Sequence, residues 1–454
     1  MRALTALAAA AVLLALLVLQ WQVGHLAWRP GGLQRAAPAI VSGDEPHYLL
    51  TLGSLLRDGD LDVRKGYERS RGGGRDAGLE FRGQLLDHHT LIWNRYTGAW
   101  GRWQGIYDVT GRSPCPPGGL CSPFALRKPE EPDLRVSLHT VEVPAHPVTF
   151  AALIAGLLWP LSVKDEDLEP RALEAVMVLS WLAAVATWAA GRRAGLSNNA
   201  ALAAAALACA ASPWLVYGRS FFAETAIGLV LVLAVWALQA GRASLVGLAV
   251  VAASALKPNF ALVGLAFAAE RLWAQKRRDA AVIAAFVIAG GAAIAAWNWS
   301  VARTLIVAGR DPWRWALGTG PLGAHLFSDD HGLFLFAPWA VLPAWALIRS
   351  RPTRQPPPSA KAALLRQVAL ACLVHLACLS LNRNGTGWCY GPRYWVPFFP
   401  LLALAALVLA EGSGRAFRVA LGLLAALSLA FSVPAALRYR DAFVARPHEL
   451  WTFR

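Results

Sequence analysis

Long apolar blocks separated by short polar links organise this chain. The blocks run approximately over 3–21, 171–190, 197–213, 222–240, 243–256, 259–273, 280–297, 333–349, 362–380, 395–411 and 418–437. A helix needs roughly 20 apolar residues to cross a bilayer. The pattern therefore predicts an all-α polytopic membrane protein with about 11 transmembrane helices, read as one domain over 1–454. A long polar stretch, 22–170, follows the first block and forms the first outer loop. Within it, 147–163 (PVTFAALIAGLLWPLSV) is apolar and reads as an interfacial helix. Further loops fall at 298–332 and 382–394, with a short tail at 438–454. The opening MRALTALAAAAVLLALLVLQW reads as an uncleaved anchor, because no small-x-small site precedes the polar region.

Composition agrees with this layout. Hydrophobic residues make up 56% of the chain and charged residues 16%, too apolar for a water-soluble globule. The net charge of +15 raises the question of nucleic acid, and its placement answers it. Residues 25–170 hold 16 Lys and Arg against 18 Asp and Glu, while the remainder holds 27 against 10. The excess sits in Arg192–Arg193, Arg242, Lys276 to Arg278, Arg349 to Arg366, and Arg415 with Arg418. All five clusters fall on one side if the N-terminus is cytoplasmic and the eleven blocks cross, as the positive-inside rule requires. Counting 147–163 as a span would invert the later loops. The Pro-rich stretch 351–361 reads as a linker. No P-loop is present. Outward-facing chemistry must then use a substrate already on that side.

The candidate chemistry gathers in the outer segments. SGDEPHYLL (42–50) carries the adjacent carboxylates Asp44 and Glu45, then Pro46 and His47. It reads equally as a helix start with Asp44 as cap and as a functional acid pair, since carboxylates beside a bilayer are costly unless paired or used. SLHTVEVPAHPVTF (137–150) offers His139, Glu142 and His146, with Pro147 as a simple helix entry. In ASPWLVYGRSFFAETAIGL (211–229), Glu224 can pair with Arg219 or face an acceptor. HLFSDDHGLF (325–334) places Asp329, Asp330 and His331 together. These are ligands for a divalent cation such as Mg or Mn, though two acids and one His are too few to define a metal site, and a solvated loop is the alternative. In NGTGWCYGPRYW (384–395), the Arg393 guanidinium matches phosphate oxygens, with snorkelling to lipid headgroups as the alternative. Lys257 offers a second point charge. Asp87-His88-His89 reads as a surface turn.

An N-terminal span, an Asp-Glu pair in the first outer loop and then alternating spans resembles the GT-C superfamily of membrane glycosyltransferases. That superfamily includes the protein O-mannosyltransferases and the aminoarabinose transferases of lipid A. The His-Pro turn at 146–147 and the Gly-Pro-Arg-Tyr segment at 391–394 resemble further parts of those proteins. The resemblance implies a polyprenyl-phosphate sugar as donor, an envelope lipid, glycan or protein as acceptor, and inverting transfer on the outer face of a bacterial inner membrane. It implies Asp44 as general base, with Glu45 as its neighbour or an acceptor or metal contact, the two roles being exchangeable. Arg393, Tyr394 and Lys257 would hold the donor phosphate. His47, His146, Arg219, Glu224 and His331 would contact donor or acceptor sugar.

Three other readings share parts of this pattern: a transporter or lipid flippase, a ligase of lipid-linked glycans, and a non-catalytic scaffold. Charges crowded towards one face and Ala/Leu/Val-rich blocks disfavour the transporter. Cys209, Cys372 and Cys378 lie in apolar blocks and read as small core residues. Cys115 and Cys121 flank a Pro/Gly-rich loop, and an oxidising compartment leaves a disulfide there open.

Overall fold

A computed structural model of the chain describes residues 2–29, 32–41, 44–66, 85–94, 100–108, 120–121, 140–144, 146–302, 320–329, 331–349, 359–380 and 390–442. Asp330, His139, Cys115, Cys389, the 71–78 stretch and the tail beyond 442 lie outside the described residues.

The described residues are predominantly helical, and among them six helices are long and apolar enough to cross a membrane. They are Thr5–Gly24, Leu168–Arg193, Arg277–Ser300, Ala360–Ser380, Arg393–Gly412 and Arg415–Leu437. Several carry large apolar side chains on their outer surface, among them Leu7 (72% exposed), Ile288 (70%) and Leu423 (68%). Exposure on that scale suits lipid rather than water.

The remaining apolar blocks form shorter helices. Asn198–Cys209, Glu224–Gln239 and Ala243–Leu256 span only ~18–24 Å at 1.5 Å per residue. The 147–163 block gives the 11-residue helix Val148–Leu158 and a 3-10 turn, Trp159–Leu161. Proline explains one of the breaks. Pro338 divides 333–349 into Leu333–Phe336, Pro338–Ala340 and Val341–Arg349. Proline has no N–H for the helical ladder and forces its predecessor out of the helical region, and Ala337 has φ −134 and ψ 67.

Contacts divide the chain into two compact units. One holds Met1–Ala37, Val176–Gly291 and Trp313–Arg454; the other holds Pro38–Ala175 and Ala292–Pro312. In the second unit the long polar stretch departs from the all-helical expectation. It forms an antiparallel four-stranded sheet in the order Leu120–Cys121, Trp100–Asp108, Leu85–Asn94, Thr140–Pro144. Asp87-His88-His89, expected in a turn, lies in a strand. Trp, Tyr, Val and Thr in these runs favour a pleated surface. Thr90 Oγ1 donates to Glu142 Oε1 at 2.6 Å across neighbouring strands, and Glu142 N donates to Asp62 Oδ1 at 3.2 Å.

In the first unit, alanines make close helix approach feasible. Ala201, Ala204, Ala205 and Ala208 of Asn198–Cys209 are fully buried, as are Ala403, Ala405 and Ala406 of Phe399–Gly412. An aromatic core of Trp214, Trp339, Tyr217, Phe222, Phe260 and Phe398 fills the remaining space. Gly228 lies one turn into the helix Glu224–Gln239. A Cβ there would sit 2.5 Å from the Trp214 ring and 3.3 Å from Pro397 Cα. The glycine therefore lets this helix approach the 3-10 segment Arg393–Phe398. Gly391, with φ +53, turns the chain just ahead of that segment against the Phe336 ring.

Gly228→Ala should lower stability by about 1–3 kcal/mol, the usual cost of overpacking. Thermal unfolding in detergent measures it; an unchanged Tm would show that the two segments can separate freely.

Candidate functional site

In the unit containing Asp44, residues Glu45–Gly53 form a helix, with Pro46 in its first turn. Asp44 occupies the N-cap position, and its carbonyl accepts the first helical bond from Tyr48 N at 3.1 Å. Its side chain makes no capping hydrogen bond, so the simple cap reading fails in its side-chain part. Glu45 is fully buried, and its Oε2 accepts from Val41 N at 2.9 Å. Glu169 Oε1 accepts from the neighbouring Ile40 N at 2.7 Å. Two carboxylates thus hold consecutive amides of the segment leading into Asp44. Each residue step in a helix turns the side chain by ~100°, so the adjacent acids face different surroundings.

The same unit brings His47 and His146 together. Their rings stack with centroids 4.9 Å apart, and Tyr48 packs on His146 at 5.6 Å and edge-on to Phe150 at 5.3 Å. The His-Pro turn at 146–147 opens the helix Val148–Leu158, which carries His146 to the Glu45 helix. Glu142 is used within the sheet, as described above.

In the other unit, Glu224 begins the helix Glu224–Gln239, where a carboxylate complements the helix dipole. Its Oε1 accepts from Lys257 Nζ at 2.5 Å and from Arg393 Nε at 2.7 Å. Arg393 also lies over the Phe222 ring, Cζ 4.1 Å from the centroid, and Lys257 Nζ is 5.2 Å from the Tyr394 ring centroid. The Glu224 side chain is 1% exposed, Arg393 8% and Lys257 18%. Two cations thus share one carboxylate oxygen. Lys257 is the member best placed to meet an anion from outside.

Arg219 does not pair with Glu224. Its Nη1 donates to the carbonyls of Val23 (2.9 Å), Leu26 (3.2 Å) and Ala436 (2.8 Å), and its guanidinium lies 4.8 Å from the Tyr439 ring centroid. It ties the ends of the first and last long helices of that unit. His331 Nδ1 lies 3.3 Å from Gly391 O, on the turn leading to Arg393. Asp329 is exposed. Among the described residues, no three His, Cys, Asp or Glu side chains gather as a metal-binding group; Asp330 lies outside them.

Two buried histidines beside Tyr394 were passed over in the sequence. His375 Nε2 lies 2.8 Å from Tyr394 O, and the His325 ring meets the Tyr394 ring edge-on at 6.0 Å. His375 stands in the middle of the block 362–380, and an ionisable residue inside an apolar run is itself a site signal. A separate ionic group lies at Glu270, which takes Arg366 Nη2 at 2.6 Å and Arg271 Nε at 2.8 Å.

Removing one partner of a buried ion group strands the others. Glu224→Gln removes the carboxylate that both cations share and should cost about 3–5 kcal/mol. Lys257→Met keeps the Glu224–Arg393 contact and should cost far less. Denaturation of both variants in one detergent checks the order; a reversed order would show that Lys257, rather than Glu224, is the hub.

Burial, with His331 as a second contribution, holds His325 below the ordinary histidine value of 6.5. The unfolded chain then takes up a proton that the folded state resists. Stability is full above pH 6.5 and falls as pH drops below it. His325→Phe should flatten the decline in Tm between pH 7.5 and 5.5; an unaltered decline would place the titrating group elsewhere.

No protein-family model, curated protein or solved structure matches this chain.

Proposed function

We infer that the protein is a membrane glycosyltransferase that moves a sugar from a polyprenyl-phosphate donor to an acceptor hydroxyl on the outer face of a bacterial inner membrane. The observation carrying this reading is the meeting of two cations, Lys257 and Arg393, at one buried carboxylate oxygen among apolar helices, with Lys257 partly accessible. A lipid-borne phosphate suits such a place, bringing negative charge to the two cations on an apolar chain. If the eleven apolar blocks cross from a cytoplasmic N-terminus, the five basic clusters all face inward and Asp44, Lys257 and Arg393 fall in outer segments.

Lys257 and Arg393 take the donor phosphate and stabilise the charge it gains on leaving. The acceptor oxygen attacks the anomeric carbon from the face opposite the phosphate. The new carbon–oxygen bond forms as the carbon–oxygen bond to phosphate breaks, and the centre inverts. Polyprenyl phosphate departs with the electron pair, and Asp44 takes the acceptor's proton. Glu45, committed to the Val41 amide, orients this segment. His47 and His146 supply contacts for the acceptor.

Asp44→Asn, assayed with purified protein and polyprenyl-phosphate sugars, should lower transfer by at least ~100-fold, the usual scale of general-base catalysis. Full transfer would remove Asp44 as base. Arg393→Ala should weaken donor binding more than acceptor binding; equal donor affinity would remove the phosphate assignment.

A further inference from the structure

The ion cluster leaves other buried polar groups around Tyr394 unexplained. Among the described residues, five side chains there are at least nine-tenths buried and each holds a polar atom without a hydrogen-bond partner. They are Glu224 Oε2, Thr225 Oγ1, His325 Nε2, His375 Nδ1 and Trp395 Nε1. Tyr394 links them. Its ring meets Lys257 and His325, and its carbonyl binds His375. Trp395, the next residue, packs edge-on against His375 at 5.3 Å. Lys257 leads on to Glu224, with Thr225 beside it in sequence.

The types of atom narrow what could satisfy them. A carbonyl oxygen only accepts, so His375 Nε2 carries its proton towards Tyr394 and the neutral ring presents a bare lone pair at Nδ1. That ring stacks on Phe398 at 4.3 Å and Phe260 at 5.7 Å, surroundings that offer the lone pair no compensation. Glu224 Oε2 is a second acceptor, Trp395 Nε1 is a donor, and the Thr225 hydroxyl is both. A further phosphate group offers acceptors only and would meet the two bare acceptors with repulsion. A polyol brings a donor and an acceptor at every hydroxyl. The aromatic faces of Tyr394 and Trp395 suit the apolar faces of a sugar ring.

We propose that these groups form a sugar-hydroxyl pocket beside Lys257, in which His375 sets the preference for a sugar-bearing carrier over the bare lipid phosphate. This rests on the donor reading given above, and the two can fail separately.

The test measures binding of undecaprenyl phosphate, and of its glucosyl, mannosyl and arabinosyl phosphodiesters, to the full chain in detergent by native mass spectrometry. Wild-type protein should bind at least one sugar-bearing lipid about tenfold more tightly than the bare phosphate, the scale of one well-made hydrogen bond. His375→Phe keeps an aromatic ring and removes the acceptor, and should bring that ratio towards one. Thr225→Val, which is nearly isosteric, should move it in the same direction and guards against a His375 variant that does not fold. A ratio unchanged in both variants would assign these atoms to ordered water and overturn the proposal. Wild-type binding of the bare phosphate with no sugar preference would overturn the pocket while leaving the phosphate assignment standing. Binding of none of the four lipids would overturn the donor reading, and the pocket with it.

Discussion

One carboxylate oxygen of Glu224, shared by Lys257 and Arg393, is the interaction on which the helical unit's chemistry depends. Its partners lie 33 and 169 positions away in sequence. Among apolar helices a charge is tolerated only when paired, so these residues must meet once the helices pack. The means of meeting are local. Pro392 and the left-handed Gly391 start the Arg393–Phe398 segment. Lys257, in extended backbone before Pro258, interrupts the helices on either side of it. Gly228 lets the Glu224 helix close on Pro397.

The other unit divides labour between adjacent acids by geometry. Glu45 is buried and spent on the Val41 amide, and Glu169 holds the Ile40 amide. Together they brace the backbone entering the helix at Asp44. Asp44 stands at the N-cap position without using its side chain as a cap. A carboxylate whose neighbour is already committed elsewhere is a better candidate for proton transfer than either member of an uncommitted acid pair. The stacked His47 and His146 rings add polar groups on the same helix-to-helix packing.

Much of this was legible one residue at a time. Asp44, Glu45 and Pro46 announced a helix start, and the helix begins at Glu45. Glu224, Lys257 and Arg393 each stood out as charges bordering apolar blocks. Their union did not, and the sequence offered Glu224 either Arg219, the nearer cation, as a partner or an acceptor to face. In the fold Arg219 is consumed by three backbone carbonyls, because helix ends present acceptors that only a multi-donor fork can satisfy together. The sheet in 85–144 was also missed. Short alternating runs inside a polar, glycine-rich loop give a weak pattern beside the apolar blocks around them.

The sequence by itself determined the membrane character, the placement of most helices and their proline breaks. Those follow from hydrophobic length and from backbone chemistry, which act over a few residues. Only the tertiary structure decided which charges pair, which acids serve the backbone, and that His325 and His375 lie beside Tyr394. Buried polar groups must be satisfied, but by partners that packing chooses. A carboxylate at 224 and a guanidinium at 393 carry no local mark of one another until the intervening helices bring them to 2.7 Å.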